Sequence, residues 1–339
     1  MNLKELNSVA RAMVAPGKGI LAADESAPTI KKRFDSISLQ STEENRRLYR
    51  EMLFSAPGAA SSIGGVILFE ETLGQKTGDG VPFPEYLSKL GMIPGIKVDK
   101  GAKPLAGFSG ETITEGLDGL RERLGEYRRL GAKFAKWRAV IDIGPSIPTD
   151  FGLTANAHAL ARYAALCQEA DIVPIVEPEV LMDGDHDIAR CEEVTGRTLD
   201  STFEQLRAHR VALEGIVLKP NMVIAGMKSP RQATIKEVAE ATVRCLKAHV
   251  PEEVAGIAFL SGGQTDTLAT AHLDAMNKLG PLQWPLSFSY GRALQAAALK
   301  AWGGKREKFS AGQAAFALRA KLNGLARDGR YEATMESAA

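Results

Sequence analysis

Short apolar runs recur eight times along the chain, and most of them end in a charged or small polar residue. Segments with helical periodicity separate most of the runs, as at residues 43–54, 155–169, 199–212 and 235–248. Buried strands that alternate with helices are typical of parallel sheets. Eight such units predict a closed barrel, so the expected fold is an α/β (β/α)₈ TIM barrel. The predicted strands begin at residues 20, 65, 96, 134, 172, 216, 257 and 286.

The chain is predicted to form one domain over residues 1–339, with barrel strands between about residues 20 and 290. Apolar residues repeat at helical spacing between Leu3 and Met13, which predicts an extra N-terminal helix rather than a signal peptide. A C-terminal helix and tail are expected over residues 303–339. Residues 74–119 are rich in Gly and Pro, and we expect them to form long loops over the barrel mouth.

Charge and cysteine content narrow the possible partners and compartments. Lys and Arg number 42 and Asp and Glu 41, so the net charge is +1 and there is no overall basic field for nucleic acid or a membrane surface. No stretch approaches the roughly 18 apolar residues of a membrane span. The three cysteines lack C-x-x-C spacing, which indicates reduced thiols. We therefore expect a cytoplasmic protein that binds neither nucleic acid nor membrane.

The run G-I-V-L-K-P-N-M places Lys219 at the tip of a buried strand. Pro220 cannot donate to a strand ladder, so the strand should stop there. A lysine at this point has two possible uses. Its aliphatic stem can carry the ammonium group out to water, or its amine can form a Schiff base with a carbonyl substrate. The octet alone leaves both open.

Two pairs of charged residues are candidate partners of Lys219. Lys136 and Arg138 lie two residues apart on one predicted strand and therefore share a face. If that face points into the barrel, their positive charges favour a neutral amine nearby. Glu177 and Glu179 share a face at the end of the next predicted strand. A carboxyl group beside a reactive amine can shuttle protons during Schiff-base formation.

Two glycine-containing turns follow the last two predicted strands. L-S-G-G-Q occupies residues 260–264 and F-S-Y-G-R occupies residues 288–292. Backbone N–H groups at a strand-to-helix junction can hold a phosphate, and the guanidinium of Arg292 can complete the site. Either turn alone is more often an ordinary turn. Together, on strands seven and eight, they predict the phosphate site that is common in this fold.

The sequence shows no convincing metal site. D-G-D-H-D at residues 183–187 begins like a calcium loop, but Ile188 replaces the turn glycine and Val194 the closing glutamate. The five histidines lack the spacing of zinc ligands. We therefore expect chemistry that needs no metal.

Nine sequence blocks, in order and across nearly the whole chain, resemble the class I fructose-1,6-bisphosphate aldolases. They read L-A-A-D-E-S, V-I-L-F-E-E-T-L, G-I-K-V-D-K-G, F-A-K-W-R, I-V-E-P-E, G-D-H-D, L-K-P-N-M, F-L-S-G-G-Q and F-S-Y-G-R-A-L-Q-A-A-A-L-K-A-W-G-G. The resemblance implies a TIM barrel, usually a homotetramer, and a lyase of glycolysis and gluconeogenesis. It implies reversible cleavage of fructose 1,6-bisphosphate, without a cofactor, to dihydroxyacetone phosphate and glyceraldehyde 3-phosphate. A lysine iminium would act as the electron sink.

The matched motifs imply roles for individual residues. Lys219 would form the Schiff base, Glu177 would act as general acid and base, and Glu179 would support the lysine. Asp24 would lie close to the bond that breaks, and Lys136 would assist proton and charge control. The phosphate on the ketone side would be held by Ser261, Gly262, Gly263, Ser289, Gly291 and Arg292. The rest of the sugar and the second phosphate would face Ser26, Lys32, Arg33, Lys97 and Arg138.

Three places depart from the animal members of that family. Residues 27–29 replace a glycine-containing turn, which puts contacts by Thr29 in doubt, Glu70 replaces a histidine, and the chain ends in E-S-A-A rather than in tyrosine. The sequence also leaves two alternative functions. One is a lysine-dependent aldolase of the same fold that acts on a shorter sugar phosphate. The other is a barrel used as a binding scaffold, since fold does not fix function.

Overall fold

The computed structural model describes residues 1–337, and eight of its strands close into a parallel barrel. In chain order the strands are β1 (Gly19–Ala23), β2 (Ile63–Leu68), β3 (Ile93–Lys97), β4 (Ala102–Pro104), β5 (Thr112–Thr114), β6 (Phe134–Ile141), β7 (Val173–Val180), β8 (Val217–Leu218), β9 (Ile257–Phe259) and β10 (Leu286–Tyr290). The barrel runs β1-β10-β9-β8-β7-β6-β3-β2, and β4 and β5 pair separately as an antiparallel hairpin. The predicted TIM barrel is confirmed.

Helices cover the outside of the barrel. They are α1 (Leu3–Met13), α2 (Ala27–Asp35), α3 (Glu43–Phe54), α4 (Glu70–Gly74), α5 (Phe83–Lys89), α6 (Leu120–Arg129), α7 (Asp150–Glu169), α8 (Ile188–Ala208), α9 (Ile235–His249), α10 (Asp266–Asn277), α11 (Arg292–Trp302) and α12 (Phe309–Arg327). Within residues 1–337, none of them combines the length and apolar character that a membrane crossing requires. The predicted N-terminal and C-terminal helices are confirmed as α1 and α12.

At the N-terminal end of the barrel, side chains fill the interior and a helix covers it. A ligand can therefore enter the barrel from its C-terminal end. Phe134 fills the barrel interior there, where a Cβ on Gly95 would lie 2.3 Å from its ring. Residue 95 therefore has to be glycine. Helix α1 packs Leu6 and Met13 into the same apolar cluster as Phe134. The extra helix thus closes the bottom of the barrel.

The prediction of long loops over residues 74–119 is wrong in part. This region contains α5 and the hairpin strands β4 and β5 as well as β3. Each hairpin strand has three residues, and β4 is exposed along its whole length. A strand this short shows no alternation of polar and apolar residues, so the hairpin left no periodic signal in the sequence.

Strand β7 continues past its predicted end, so Glu177 and Glu179 lie within the strand rather than after it. Pro178 suggested an earlier stop because proline cannot donate to a ladder. Its neighbour β8, however, ends at Leu218, which pairs with Val176. Beyond that point β7 has only β6 as a strand partner, and a proline is tolerated at such an edge.

Candidate active site

A cavity of about 1200 Å³ opens at the C-terminal ends of the barrel strands. Strands deliver their last side chains to this end in every TIM barrel, which is why catalytic residues gather there. All sixteen residues predicted from the sequence border this one cavity: Asp24, Ser26, Lys32, Arg33, Lys97, Lys136, Arg138, Glu177, Glu179, Lys219, Ser261, Gly262, Gly263, Ser289, Gly291 and Arg292.

Two lysines and two carboxylates form a continuous chain at the closed end of the cavity. Lys219 follows β8 directly, and its Nζ lies 3.2 Å from Glu177 Oε1. Lys136 Nζ lies 3.4 Å from Glu177 Oε2 and 2.8 Å from Asp24 Oδ2. The longer contact is an ion pair without hydrogen-bond geometry, since Glu177 Oε2 has no hydrogen-bond partner within residues 1–337. One carboxylate thus touches both lysines.

Neighbouring charges fix the ionisation states of Asp24 and Lys136 in this row of side chains. Burial opposes ionisation of Asp24, but Lys136 and Lys219 outweigh it and hold the pKa of Asp24 well below its usual range. Burial likewise disfavours the ammonium of Lys136, while Asp24 and Glu177 outweigh it and raise the pKa of Lys136 above its usual range. At neutral pH, Asp24 is therefore a carboxylate and Lys136 a cation.

Two further cations at the cavity wall also have carboxylate partners. Arg138 donates through Nε to Glu179, the next inward-facing residue of β7 after Glu177. Burial raises the pKa of Glu179, and Arg138 opposes that rise. Lys97 donates to the backbone oxygen of Asp99 at 2.8 Å and pairs with its carboxylate. Both cations are therefore paired with carboxylates of the cavity wall.

The two glycine-containing turns meet as predicted at the ends of β9 and β10. Gly262 and Gly263 have positive φ angles of 55° and 87°, which glycine adopts without strain. A Cβ on Gly263 would lie 3.2 Å from Arg292 Nη2, so the turns touch. The buried hydroxyl of Ser289 has no hydrogen-bond partner within residues 1–337. The turns therefore offer an unused donor at the N-terminus of α11, where an anion is favoured.

The departures from the animal pattern have visible structural consequences. Residues 27–29 open helix α2 with Pro28 in its first turn, and Thr29 borders the cavity, with its Oγ1 3.2 Å from Ser26 Oγ. Glu70 also borders the cavity and accepts a hydrogen bond of 2.9 Å from the Tyr127 hydroxyl. By contrast, G-D-H-D is one of the matched motifs. It supplies Asp187, whose side chain caps α8 by accepting from Arg190 N at 2.8 Å.

Sequence reasoning missed four carboxylates that border the cavity, among them Glu25 and Asp99. Glu25 follows Asp24 and pairs with Arg33. Asp99 lies two residues after Lys97, with which it pairs. Both follow a predicted strand end, and that position was the available signal. Among residues 1–337, no group of three or more His, Cys, Asp and Glu side chains is arranged to hold a metal ion.

Comparison with known proteins places this arrangement in one family. The family model for fructose-bisphosphate aldolase class-I matches residues 5–339. A Xanthomonas campestris pv. campestris protein named probable fructose-bisphosphate aldolase class 1 is 59% identical over 333 residues, which cover 98% of this chain and 100% of that protein. Human fructose-bisphosphate aldolase C is 52% identical over 335 residues, covering 98% of this chain and 92% of that one.

A solved structure agrees with these sequence matches. The fructose-bisphosphate aldolase of Plasmodium falciparum, crystallised with TRAP and a small molecule inhibitor, superposes with a TM-score of 0.96 at 48% identity. The superposition covers 97% of this chain and 96% of that chain. The chain therefore belongs to the class I fructose-bisphosphate aldolase family.

Proposed function

We propose that the lyase reaction of this chain, reversible cleavage of fructose 1,6-bisphosphate to dihydroxyacetone phosphate and glyceraldehyde 3-phosphate, proceeds through a Schiff base on Lys219. The observation that carries this assignment is the 3.2 Å contact between Lys219 Nζ and Glu177 Oε1. A carboxylate at this distance can accept the proton that an amine must lose before it attacks a carbonyl.

In the proposed reaction, the Lys219 amine adds to the keto carbon of the sugar. Glu177 then transfers the protons that convert the carbinolamine to an iminium with loss of water. The iminium draws electrons from the bond between its α carbon and the hydroxyl-bearing β carbon, which breaks as the hydroxyl of the departing fragment loses its proton. Glyceraldehyde 3-phosphate leaves, the remaining enamine takes up a proton, and water hydrolyses the iminium. Dihydroxyacetone phosphate is released and the free amine is restored.

The other predicted residues support this reaction by charge and position. Lys136 lies between Asp24 and Glu177 and keeps two carboxylates close together near the reacting bond. The turns at Ser261–Gly263 and Ser289–Arg292 would hold the ketone-side phosphate. Ser26, Lys32, Arg33, Lys97 and Arg138 would face the rest of the sugar and the second phosphate.

Four further properties of the whole protein belong to the proposed function. The chain works as one domain over residues 1–339, needs neither metal nor another cofactor, assembles as a homotetramer, and acts in the cytoplasm. They rest on the resemblance to the family. Light scattering on the purified protein measures the assembly directly, and the mass of four chains is the expected result.

Borohydride trapping tests the central assignment. Reduction in the presence of dihydroxyacetone phosphate should add one reduced adduct to the wild-type protein, and peptide mass spectrometry should locate it on Lys219. The Lys219→Met variant should gain no adduct. Lys300, an exposed lysine on α11, provides the matched control, because Lys300→Met should still be labelled on Lys219. An adduct on any other lysine would refute the assignment.

Relative rates test the alternative of a shorter sugar phosphate. We expect kcat/KM for fructose 1,6-bisphosphate to exceed that for fructose 1-phosphate, because cationic side chains border the cavity from either side of β8, with Arg138 on β6 and Arg292 after β10. A higher value for the monophosphate would favour the alternative substrate while leaving the Schiff base intact.

A further inference from the structure

Arg50 on α3 is a buried cation with few partners for its guanidinium. The residue is only 2% exposed. Its Nη2 lies 2.7 Å from Glu25 Oε2 as an ion pair, although this contact lacks hydrogen-bond geometry, and Nε and Nη1 have no hydrogen-bond partner within residues 1–337. Arg50 Cζ lies over the Tyr49 ring, 5.7 Å from the ring centroid. Burying a guanidinium with so few partners is costly.

Glu25 connects Arg50 to the cavity. Its Oε1 accepts from Arg33 Nη1, on the cavity side, and from Gln295 Nε2 at 2.9 Å. Gln295 is itself fixed, because its Nε2 also donates to Ala22 O at 2.7 Å and its Oε1 accepts from the Tyr49 hydroxyl at 3.0 Å. The carboxylate of Glu25 is thereby held between the two arginines.

The net charge of this cluster depends on Arg50. Arg33 and Arg50 share the single carboxylate of Glu25, so the three side chains together carry one positive charge. Arg33 borders the cavity, whereas Arg50 does not. A Cβ on Gly291 would lie 3.6 Å from Arg33 Nη2, so the arginine lies beside the second glycine-containing turn. Without Arg50, Glu25 would cancel the charge that Arg33 presents there.

We propose that Arg50 is a positioning residue that acts through Glu25, because its buried charge keeps the Arg33–Glu25 pair positive toward a substrate phosphate. The inference rests on the proposed role of Arg33 as a phosphate ligand. Arg50 contributes charge from behind the wall of the site and touches no substrate. A lysine should serve nearly as well as an arginine at this position, because a single nitrogen makes the ion pair.

Two substitutions of Arg50 separate charge from packing. The variant Arg50→Met keeps an apolar chain of similar length and removes the charge, so KM for fructose 1,6-bisphosphate and Ki for inorganic phosphate should each rise about tenfold, with a smaller change in kcat. Arg50→Lys should stay within about threefold of the wild type. Arg47→Met removes a cation from the same helix without touching Glu25, and it should leave both constants unchanged. Equal losses in Arg50→Met and Arg50→Lys would overturn the proposal.

A double variant tests the charge argument in the opposite direction. Glu25→Gln with Arg50→Met removes both buried charges and leaves the single charge of Arg33, so Ki for phosphate should return to within about threefold of the wild type. If Arg50→Met does not fold, the double variant is compared with Glu25→Gln, whose cluster carries one more positive charge. In that comparison the double variant should bind phosphate more weakly than Glu25→Gln. The inference would be contradicted if the double variant bound phosphate as weakly as Arg50→Met or as strongly as Glu25→Gln.

The trapping experiment keeps this inference separate from the proposed function. If the variants are labelled on Lys219 but their phosphate constants do not change as expected, only the role of Arg50 fails. If the wild-type protein is not labelled, the proposed function fails as well.

Discussion

At the scale of single residues, three buried or half-buried cations of the site are already paired with carboxylates before a substrate arrives. Lys219 contacts Glu177, Lys136 contacts Asp24, and Arg138 contacts Glu179. Pairing keeps these side chains in place and prevents an uncompensated charge in a buried site. A phosphate must therefore compete with protein carboxylates, except where a cation extends into the cavity from its rim.

Arg292 is such a rim residue, because it is exposed at the N-terminus of α11. We expect Arg292→Ala to raise KM for fructose 1,6-bisphosphate roughly ten- to a hundredfold, since charge-assisted hydrogen bonds contribute about 1.5–3 kcal/mol. Initial-rate kinetics measure the change. Arg306→Ala removes an exposed arginine away from the cavity and should leave KM unchanged. An unchanged KM in Arg292→Ala would place this arginine outside the site.

Sequence patterns located the residues that follow clear strand signals and missed those that depend on packing. Lys219 was predictable because a β-branched run ends at Pro220. Arg50 was not, because a cation inside an amphipathic helix usually faces solvent, and only the packing of α3 shows that it is buried against Glu25. The same limit applies to side-chain partners, since no local pattern says which carboxylate meets which cation across the barrel.

At the scale of whole elements, α10 supports the glycine-containing turn at residues 260–264 through a buried histidine. His272 donates from Nδ1 to Gln264 Oε1, because an amide oxygen can only accept. Gln264 Nε2 donates in turn to Ser261 O at 3.0 Å. Burial lowers the pKa of His272 from 6.5 to about 4. The turn is therefore held by a histidine that stays neutral at physiological pH.

This shift predicts a loss of stability in mild acid. An unfolded chain takes up the His272 proton near pH 6.5 and the folded protein only near pH 4, so protons favour the unfolded state between these values. The unfolding free energy of the wild type should fall by roughly 3 kcal/mol more than that of His272→Asn over this range. Denaturant titrations at several pH values measure it. His158→Asn, at an exposed position, should follow the wild type. Parallel curves for His272→Asn and the wild type would contradict the prediction.

The C-terminal tail also acts as an element, and its contacts are structural. Glu336 pairs with Arg319, a buried residue of α12, and accepts from the Tyr331 hydroxyl at 2.9 Å. Arg319 keeps other partners if the tail is removed, because it also donates to Thr270 Oγ1 at 2.6 Å. The predicted tail extends to residues 338 and 339, which lie outside the described residues. The described part of the tail is thus bound at α12 and α10.

Deletion of residues 332–339 should therefore change stability more than chemistry. We expect kcat for fructose 1,6-bisphosphate to change by less than about tenfold, below the range of about 10²- to 10⁴-fold that acid–base groups contribute. The unfolding free energy should fall by about 1.5–3 kcal/mol through loss of the charged contact with Arg319. Glu336→Gln should reproduce most of the stability loss. A hundredfold fall in kcat with the fold intact would show that the tail enters the site.

At the scale of the whole molecule, the barrel concentrates charge that the composition conceals. The chain has a net charge of +1, yet nine Lys and Arg residues and seven Asp and Glu residues border one cavity. The closed barrel brings these residues together from the ends of strands that are far apart in sequence. Membership in a lyase family removes the binding-scaffold alternative.

An aldolase needs an electron sink, which can be a Lewis-acid metal ion or a protonated imine. In the proposed function Lys219 would form the imine, with Glu177 as its proton partner, which it contacts, and Lys136 as a cation nearby. Prolonged dialysis against a chelator should therefore leave kcat within about twofold of its starting value, and added zinc or magnesium should not raise it. A known metalloenzyme in the same dialysis verifies that metal is removed. Activity that disappears on chelation and returns with zinc would show that a metal, rather than the lysine iminium, stabilises the developing carbanion.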